Sequence, residues 1–381
     1  MLAAIEAFLP QAVAWRRDFH AHPELSFSEH RTGARVAELL RGFGCDAVET
    51  GWSGTGVVAV INGRGPGRRI GLRADMDALP IAEASGVAFA STVPGVMHAC
   101  GHDGHTAMLL AAAKYLAGSR NFAGQAVLIF QPGEEAGGGA RAMLAEGFLA
   151  RYPLDEVYAL HNMPGLAVGA YATRSGPIMA AADMFRIEIT GRGGHAAQPH
   201  LALDPVMIAG HVLVALQTVV ARNVDPLKPA VLAVSTVVSD GYGACVVPGR
   251  VVLTGTVRSF EVAVQDLIEA RLRAVVGGVA AAHGGAATVD YLRDAPATVN
   301  DARCVGYAVA VARGISAAVE GDVAPMMVSE DFSEFLNVVP GAFMFVGNGD
   351  GPLLHHPAYA FNDAGLPYGA AWLAAMVEAR G

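Results

Sequence analysis

Two periodicities alternate along the chain. Apolar residues recur at helical spacing over 2–19 and 30–43, the second run closing at Gly42 and Gly44. Short β-branched runs at 57–61 and 70–74, bounded by glycine turns, predict strands, and further strands are expected at 126–130 and 156–160 with a helix before them ending near 117. From residue 180 the pattern changes. Residues 184–190 alternate as a half-buried strand, 204–221 have helical period, 230–238 and 250–258 read as strands, 262–282 as a helix and 286–292 as a strand. The order βαββαβ is that of a split βαβ, ferredoxin-like unit, which predicts a second domain inserted into the first. A helix at 301–319, a capped helix start at Ser329-Glu330-Asp331-Phe332, a strand at 343–346 and an apolar helix at 366–377 return the chain to the first domain. The expected division is therefore 1–181, 182–293 and 294–381, the outer two segments forming one domain.

Composition narrows the class. A chain of 381 residues with 53% hydrophobic and 16% charged residues predicts a folded protein of about two domains. The net charge of −9, without any run of Lys and Arg, argues against nucleic acid as a partner and leaves a small molecule or peptide. No membrane-length apolar span and no signal peptide are evident. Four scattered cysteines (Cys45, Cys100, Cys245, Cys304), none in CxxC spacing, suit free thiols and a cytoplasmic location.

The candidate chemistry concentrates in Met97-His98-Ala99-Cys100-Gly101-His102-Asp103-Gly104-His105-Thr106. Cys, His and Asp donate electron pairs to divalent transition metals, and the glycines let donors two apart face one centre. Three predicted strands end in the same kind of chemistry. The first delivers Asp75 and Asp77, read as ligands, as carboxylates that orient histidines, or as turn residues. The second delivers Glu134-Glu135, a pair that is costly without a cation nearby. The third delivers His161. In an open α/β sheet such ends share one edge, where sites form. His20 and His22 precede a proline and read as loop histidines or catalytic groups. His195 follows Gly191-Arg192-Gly193-Gly194 in the inserted segment, and His355-His356 lies in a proline-bounded loop near the C-terminus.

Together these residues resemble the co-catalytic metallopeptidase family of aminoacylases and hippurate hydrolases, in the branch of N-acyl-amino-acid amidohydrolases that includes the indole-3-acetyl-amino-acid hydrolases. The resemblance is carried by His-x-His-Pro-Glu at 20–24, Leu-Arg-Ala-Asp-Met-Asp-Ala-Leu-Pro at 72–80, the cluster at 97–106, Phe-Gln-Pro-Gly-Glu-Glu at 130–135, Gly-Gly-His-Ala-Ala at 193–197 and Ser-Glu-Asp-Phe at 329–332. It implies an α/β fold: an α/β/α sandwich catalytic domain with an inserted βαββαβ lid and dimerisation domain. It also implies two divalent ions (Zn, Mn, Co or Ni) on Cys100, His102, Glu135, His161 and His355, with Glu134 as general base. His195 is expected to stabilise the oxyanion, from across a dimer interface, in a homodimer or dimer-based oligomer. The implied substrates are N-acyl amino acids. A dipeptidase or carboxypeptidase of the same fold, or an N-acetyldiaminopimelate-type deacetylase, is the alternative. Asn223 and Arg258 are candidates, by position, to hold the substrate carboxylate. Two departures stand out: Gly133 where the branch has Ala, and Ala360 where it has Asp.

Overall fold

The computed structural model describes all 381 residues. They form a mixed α/β structure of two compact units, one of residues 1–178, 298–325 and 330–381, the other of 179–297 and 326–329.

The first unit is built on an eight-stranded sheet in the order Ala47–Trp52, Gly56–Asn62, Gln125–Gln131, Arg69–Asp75, Glu156–Pro164, Gly341–Gly349, Tyr171–Ala172, Val319–Glu320. Four central strands, 125–131, 69–75, 156–164 and 341–349, run parallel. Such strands are covered on both faces, and Gln125–Gln131 and Glu156–Pro164 are buried along nearly their whole length, with apolar runs at 126–130 and 157–160. Because the four point the same way, the residues after their C-terminal ends meet at one edge. Helix His102–Ser119 carries thirteen buried residues and is covered on nearly every side. It packs so closely on helix Leu366–Arg380 that a Cβ on Gly369 would lie 1.9 Å from Met108 Sδ.

Several boundaries differ from expectation. The run 2–19 is two helices, Leu2–Glu6 and Leu9–Ala21, since Pro10 suits the first turn of the second better than the interior of one long helix. The helix expected at 301–319 stops at Arg313, where Gly314 caps it, and the β-branched end enters strand Val319–Glu320. Ser329 to Phe332 precede only the four-residue helix Ser333–Leu336. Asp331 caps nothing there; it is buried.

In the second unit, strands Ala181–Thr190, Ala230–Ser239, Arg250–Ser259 and Ala286–Ala295 form an antiparallel sheet in the order 230–239, 250–259, 181–190, 286–295. With helices Pro205–Asn223 and Val262–Ala282 this is the split βαβ order. Phe185, Ile187, Ile189, Leu253 and Val257 pack against Ile208, Val212, Leu216, Ile268, Leu272 and Val276 of the two helices. Contrary to the sequence reading, Pro205–Asn223 is long and apolar enough to cross a membrane by length and composition; Ile208, Val212, Leu216 and Val219 bury that character in this core.

Candidate metal centre

The parallel edge of the first unit gathers the predicted donors. Gly101, at φ +86, turns the chain into helix 102–119, and a Cβ there would lie 2.4 Å from Asn162 Nδ2 and 2.5 Å from the Tyr359 hydroxyl. The turn sets Cys100 and His102 beside the loop Glu134-Glu135, strand residue His161 and loop residue His355. Ligand atoms of Cys100, His102 and His161 lie within 4.8 Å of one another, and so do those of Cys100, Glu135 and His355. The two triads share Cys100. Cys100 Sγ is 3.4 Å from His161 Nε2, and His355 Nε2 is 3.3 Å from Glu135 Oε1.

Surrounding groups fix which atom of each donor faces inward. His102 Nδ1 is 3.3 Å from Asp77 Oδ1, leaving Nε2 toward Glu135 Oε1 at 3.8 Å. His161 Nδ1 donates to the Asn162 carbonyl at 2.7 Å, so its Nε2 offers a lone pair to the cluster. Burial, then the neighbouring His105, holds His161 well below the usual histidine range, which keeps it neutral. Asp77 also accepts from Ser26 Oγ at 2.6 Å and from Glu135 N at 2.9 Å. Asp75 holds His105 Nδ1 at 2.7 Å, and His105 Nε2 accepts from Asn162 N at 3.0 Å. The two aspartates therefore orient histidines, one of the roles open to them in the sequence. Tyr359 OH donates to Asn162 Oδ1 at 2.7 Å, and His355 is tied through its backbone N to the Ala99 carbonyl at 2.8 Å.

The donor set fits divalent ions. His102 Nε2 and Glu135 Oε1 are buried without a hydrogen-bond partner, a costly state for acceptor atoms that a cation would relieve. Burial pushes the Cys100 thiol well above its usual range, so a neighbouring cation is what would make it a thiolate donor. Mixed S, N and O donors suit Zn, Mn, Co or Ni.

Behind Glu134 lies a set of charges that the sequence did not disclose. Arg73 is 1% exposed. It reaches Asp75 at 2.7 Å, Glu330 and Asp331 at 2.8 Å each, and Gln131 Oε1 at 2.9 Å. Asp331 Oδ2 also accepts from Ala140 N at 2.9 Å. Glu134, Glu330 and Asp331 have carboxylate oxygens within 4.8 Å of one another. Burial, with Glu330, Glu135 and Asp331 following, pushes Glu134 well above the carboxylate range, and Glu330 is pushed up to about 7 by burial against the pull of Arg73.

His20 belongs to a different cluster. It is fully buried, its Nδ1 2.9 Å from Asp103 and its Nε2 3.0 Å from Glu83, with Arg16 also on Asp103 at 3.3 Å. Both ring nitrogens face carboxylates, so the ring is an imidazolium. Burial opposes the charge, but Asp103 and Glu83 outweigh it and raise the pKa above the ordinary 6.5. A raised folded-state value means that the stabilisation is complete below the unfolded pKa and fades as pH climbs through the folded one. We expect His20→Gln to cost about 3 kcal/mol at mildly acidic pH, as for breaking a buried pair. The gap in stability to wild type should narrow on the alkaline side. Urea unfolding of both proteins across pH checks this, and a gap independent of pH would contradict it.

His195, Asn223 and Arg258 lie in the second unit. His195 is exposed on the short strand Gly194–His195, paired with Val246–Val247, and its Nδ1 accepts from Ala197 N at 3.1 Å. Asn223 Nδ2 donates to the Thr218 carbonyl at 2.8 Å, a contact to its own helix. Arg258 bonds the Val257 carbonyl at 3.0 Å and the Thr256 hydroxyl. It lines an open cavity of about 570 Å³ with Arg186, Thr254, Asp290 and Tyr291.

A parallel-stranded sheet whose C-terminal edge gathers Cys, His and Glu donors around a carboxylate of raised proton affinity defines a metal-dependent hydrolase. The sequence pattern of Peptidase family M20/M25/M40 matches residues 71–379, and the chain belongs to that family. It is 41% identical over 357 residues to N-acetyl-L-cysteine deacetylase of Bacillus subtilis (strain 168), covering 93% of this chain and 85% of that one. It is 38% identical over 363 residues to hippurate hydrolase of Campylobacter jejuni, covering 95% and 94%. Among solved structures, the Bacillus subtilis YXEP protein, a dinuclear metal binding peptidase from the M20 family, superposes with a TM-score of 0.86 at 32% identity, covering 98% of each chain.

Proposed function

We propose that the protein hydrolyses the amide bond of N-acyl amino acids, releasing a carboxylic acid and a free amino acid. The observation that carries this is the pair of triads sharing Cys100, with Glu134 beside them, in a chain whose relatives include an N-acetyl-L-cysteine deacetylase and a hippurate hydrolase. Cys100, His102, Glu135, His161 and His355 would hold two divalent ions, which when bound supply Lewis-acid polarisation of the amide carbonyl and acidify water. Glu134 takes the proton from the attacking water and passes it to the departing amine nitrogen. Its raised proton affinity suits both halves of that transfer. Arg258, together with Asn223, is assigned to the substrate carboxylate.

The test is a panel of N-acetyl, N-benzoyl and indole-acetyl amino acids, their carboxamides and free-amine dipeptides. N-acyl acids should be cleaved fastest; chelation should abolish turnover and added Mn, Co, Ni or Zn restore it. Full activity in chelated protein, or preference for free-amine peptides, would overturn the reading. Arg258→Ala should raise KM for the acids more than for the amides.

We further propose that the second unit is a lid and dimer contact, and that His195 stabilises the oxyanion in the partner's site. Its edge strand Ala230–Ser239 supports this: it has no charged side chain and is largely exposed, an edge open to pairing with a second copy. His195→Ala and Glu134→Gln proteins, each nearly inactive, should regain activity on mixing, to at most about a quarter of wild type per protomer, by counting under two-fold symmetry. No recovery after verified subunit exchange would place His195 within its own chain's chemistry or outside it.

A further inference from the structure

Phe27 is held in an unusual way beside the proposed base. Its φ is +61°, in the left-handed region that side chains avoid, and of the four such non-glycine residues another is the candidate ligand His355. Its backbone N donates to Glu29 Oε1 at 3.0 Å, and the same oxygen accepts from Gly133 N at 2.9 Å. Glu29 is fully buried and takes the Thr55 hydroxyl on its other oxygen at 2.6 Å. On the other side, Ser26 is bonded to Asp77. The loop is thus pinned, on both sides of Phe27, to the segments that carry Glu134 and Asp77.

The ring uses the space that Gly133 leaves. Its Cζ, Cε1 and Cε2 atoms lie 2.6 to 2.8 Å from where a Cβ on Gly133 would stand, so the far edge of the ring rests on the backbone just before Glu134. Yet the residue is 40% exposed. A single exposed aromatic is ordinary on any surface. Here an exposed ring is combined with a strained backbone, two pinning carboxylates and a glycine where an alanine would collide. A phenylalanine whose only task was packing would gain more by burying its ring, with no need of the left-handed conformation.

We propose that Phe27 is a specificity-determining residue: a rigid apolar platform at the rim of the site on which the acyl half of the substrate lies, favouring planar aromatic acyl groups over small or puckered ones. This rests on the N-acyl amino acid reading. Aromatic pairs gain from offset or edge-to-face contact beyond their apolar area, which a saturated ring of equal size does not provide.

Wild-type protein, loaded with metal, is assayed on N-benzoyl, N-cyclohexanecarbonyl and N-acetyl derivatives of one amino acid. The benzoyl compound should have the highest kcat/KM. Phe27→Leu should lower kcat/KM for the benzoyl substrate about tenfold more than for the acetyl one, within the range open to an apolar contact, whereas Phe27→Tyr, which keeps the ring, should preserve the wild-type ratio. Equal losses on all three substrates in Phe27→Leu would leave the amidohydrolase reading intact and remove Phe27 from acyl recognition. A wild-type protein that does not distinguish benzoyl from cyclohexanecarbonyl overturns the proposal even where Phe27→Leu fails to fold. Hydrolysis of none of the three would overturn the parent reading and this one together.

Discussion

Glu134→Gln should lower kcat by roughly 10² to 10⁴, the loss expected when a positioned base is removed, while fold and metal content stay at wild-type levels. The amide is nearly isosteric with the carboxylate. Glu134 neighbours His102 and Glu135 but lies outside the two triads that share Cys100, so its exchange leaves both of those triads whole. The environment that raises its proton affinity, burial followed by Glu330, Glu135 and Asp331, also predicts that a neutral side chain is tolerated there. Glu135→Gln should behave differently. Glu135 belongs to the triad with Cys100 and His355, and its buried Oε1 has no hydrogen-bond partner. Its replacement should reduce bound metal as well as rate. Metal analysis alongside steady-state kinetics separates the two, and matching phenotypes would show that base and ligand have been confused.

The largest effect on stability is expected at Arg73. Its guanidinium is the cation among Asp75, Glu330 and Asp331, all three nearly inaccessible to water. Arg73→Met would keep much of the apolar volume and leave those carboxylates without it. Removing one partner of a buried ion pair costs about 3–5 kcal/mol, and here three partners are stranded. Against a typical total stability of about 5–15 kcal/mol, the variant should be marginal or unfolded. Arg73→Lys should recover only part, since an ammonium cannot reproduce the planar fork that serves Gln131, Asp75 and Asp331 at once. Urea unfolding midpoints measure the series; a loss under about 1 kcal/mol in Arg73→Met would mean that the carboxylates are neutral in the folded protein.

Arg73 also marks where sequence reading stops. The donors were legible because Cys100, His102, Glu134, Glu135 and His161 are chemically distinctive, and because Glu134, Glu135 and His161 end apolar runs that read as strands of one sheet, whose ends share an edge. A buried arginine looks in sequence like any surface arginine, and Glu330-Asp331 before an apolar residue reads as a helix cap. Only the fold brings them to Arg73, across more than 250 positions of chain. The same limit applies to Glu29, whose ties to Phe27, Thr55 and Gly133 have no local signal. The inserted βαββαβ order was plain because its strands alternate and its helices repeat. The helix that stops at Arg313 was overextended because apolar spacing continues past Gly314 into a strand.

Helix His102–Ser119 begins with a candidate ligand and is sheathed along most of its length. Gly104 has Phe361 ring carbons 2.3 to 2.7 Å from where a Cβ would stand, and Met108 fills the notch left by Gly369. In such a sleeve a side chain can change size only if the wall facing it changes too. Divergence along this helix should therefore proceed by compensated pairs, Gly104 with Phe361 and Met108 with Gly369, while the backbone path of the helix and the angle at which it presents His102 stay put.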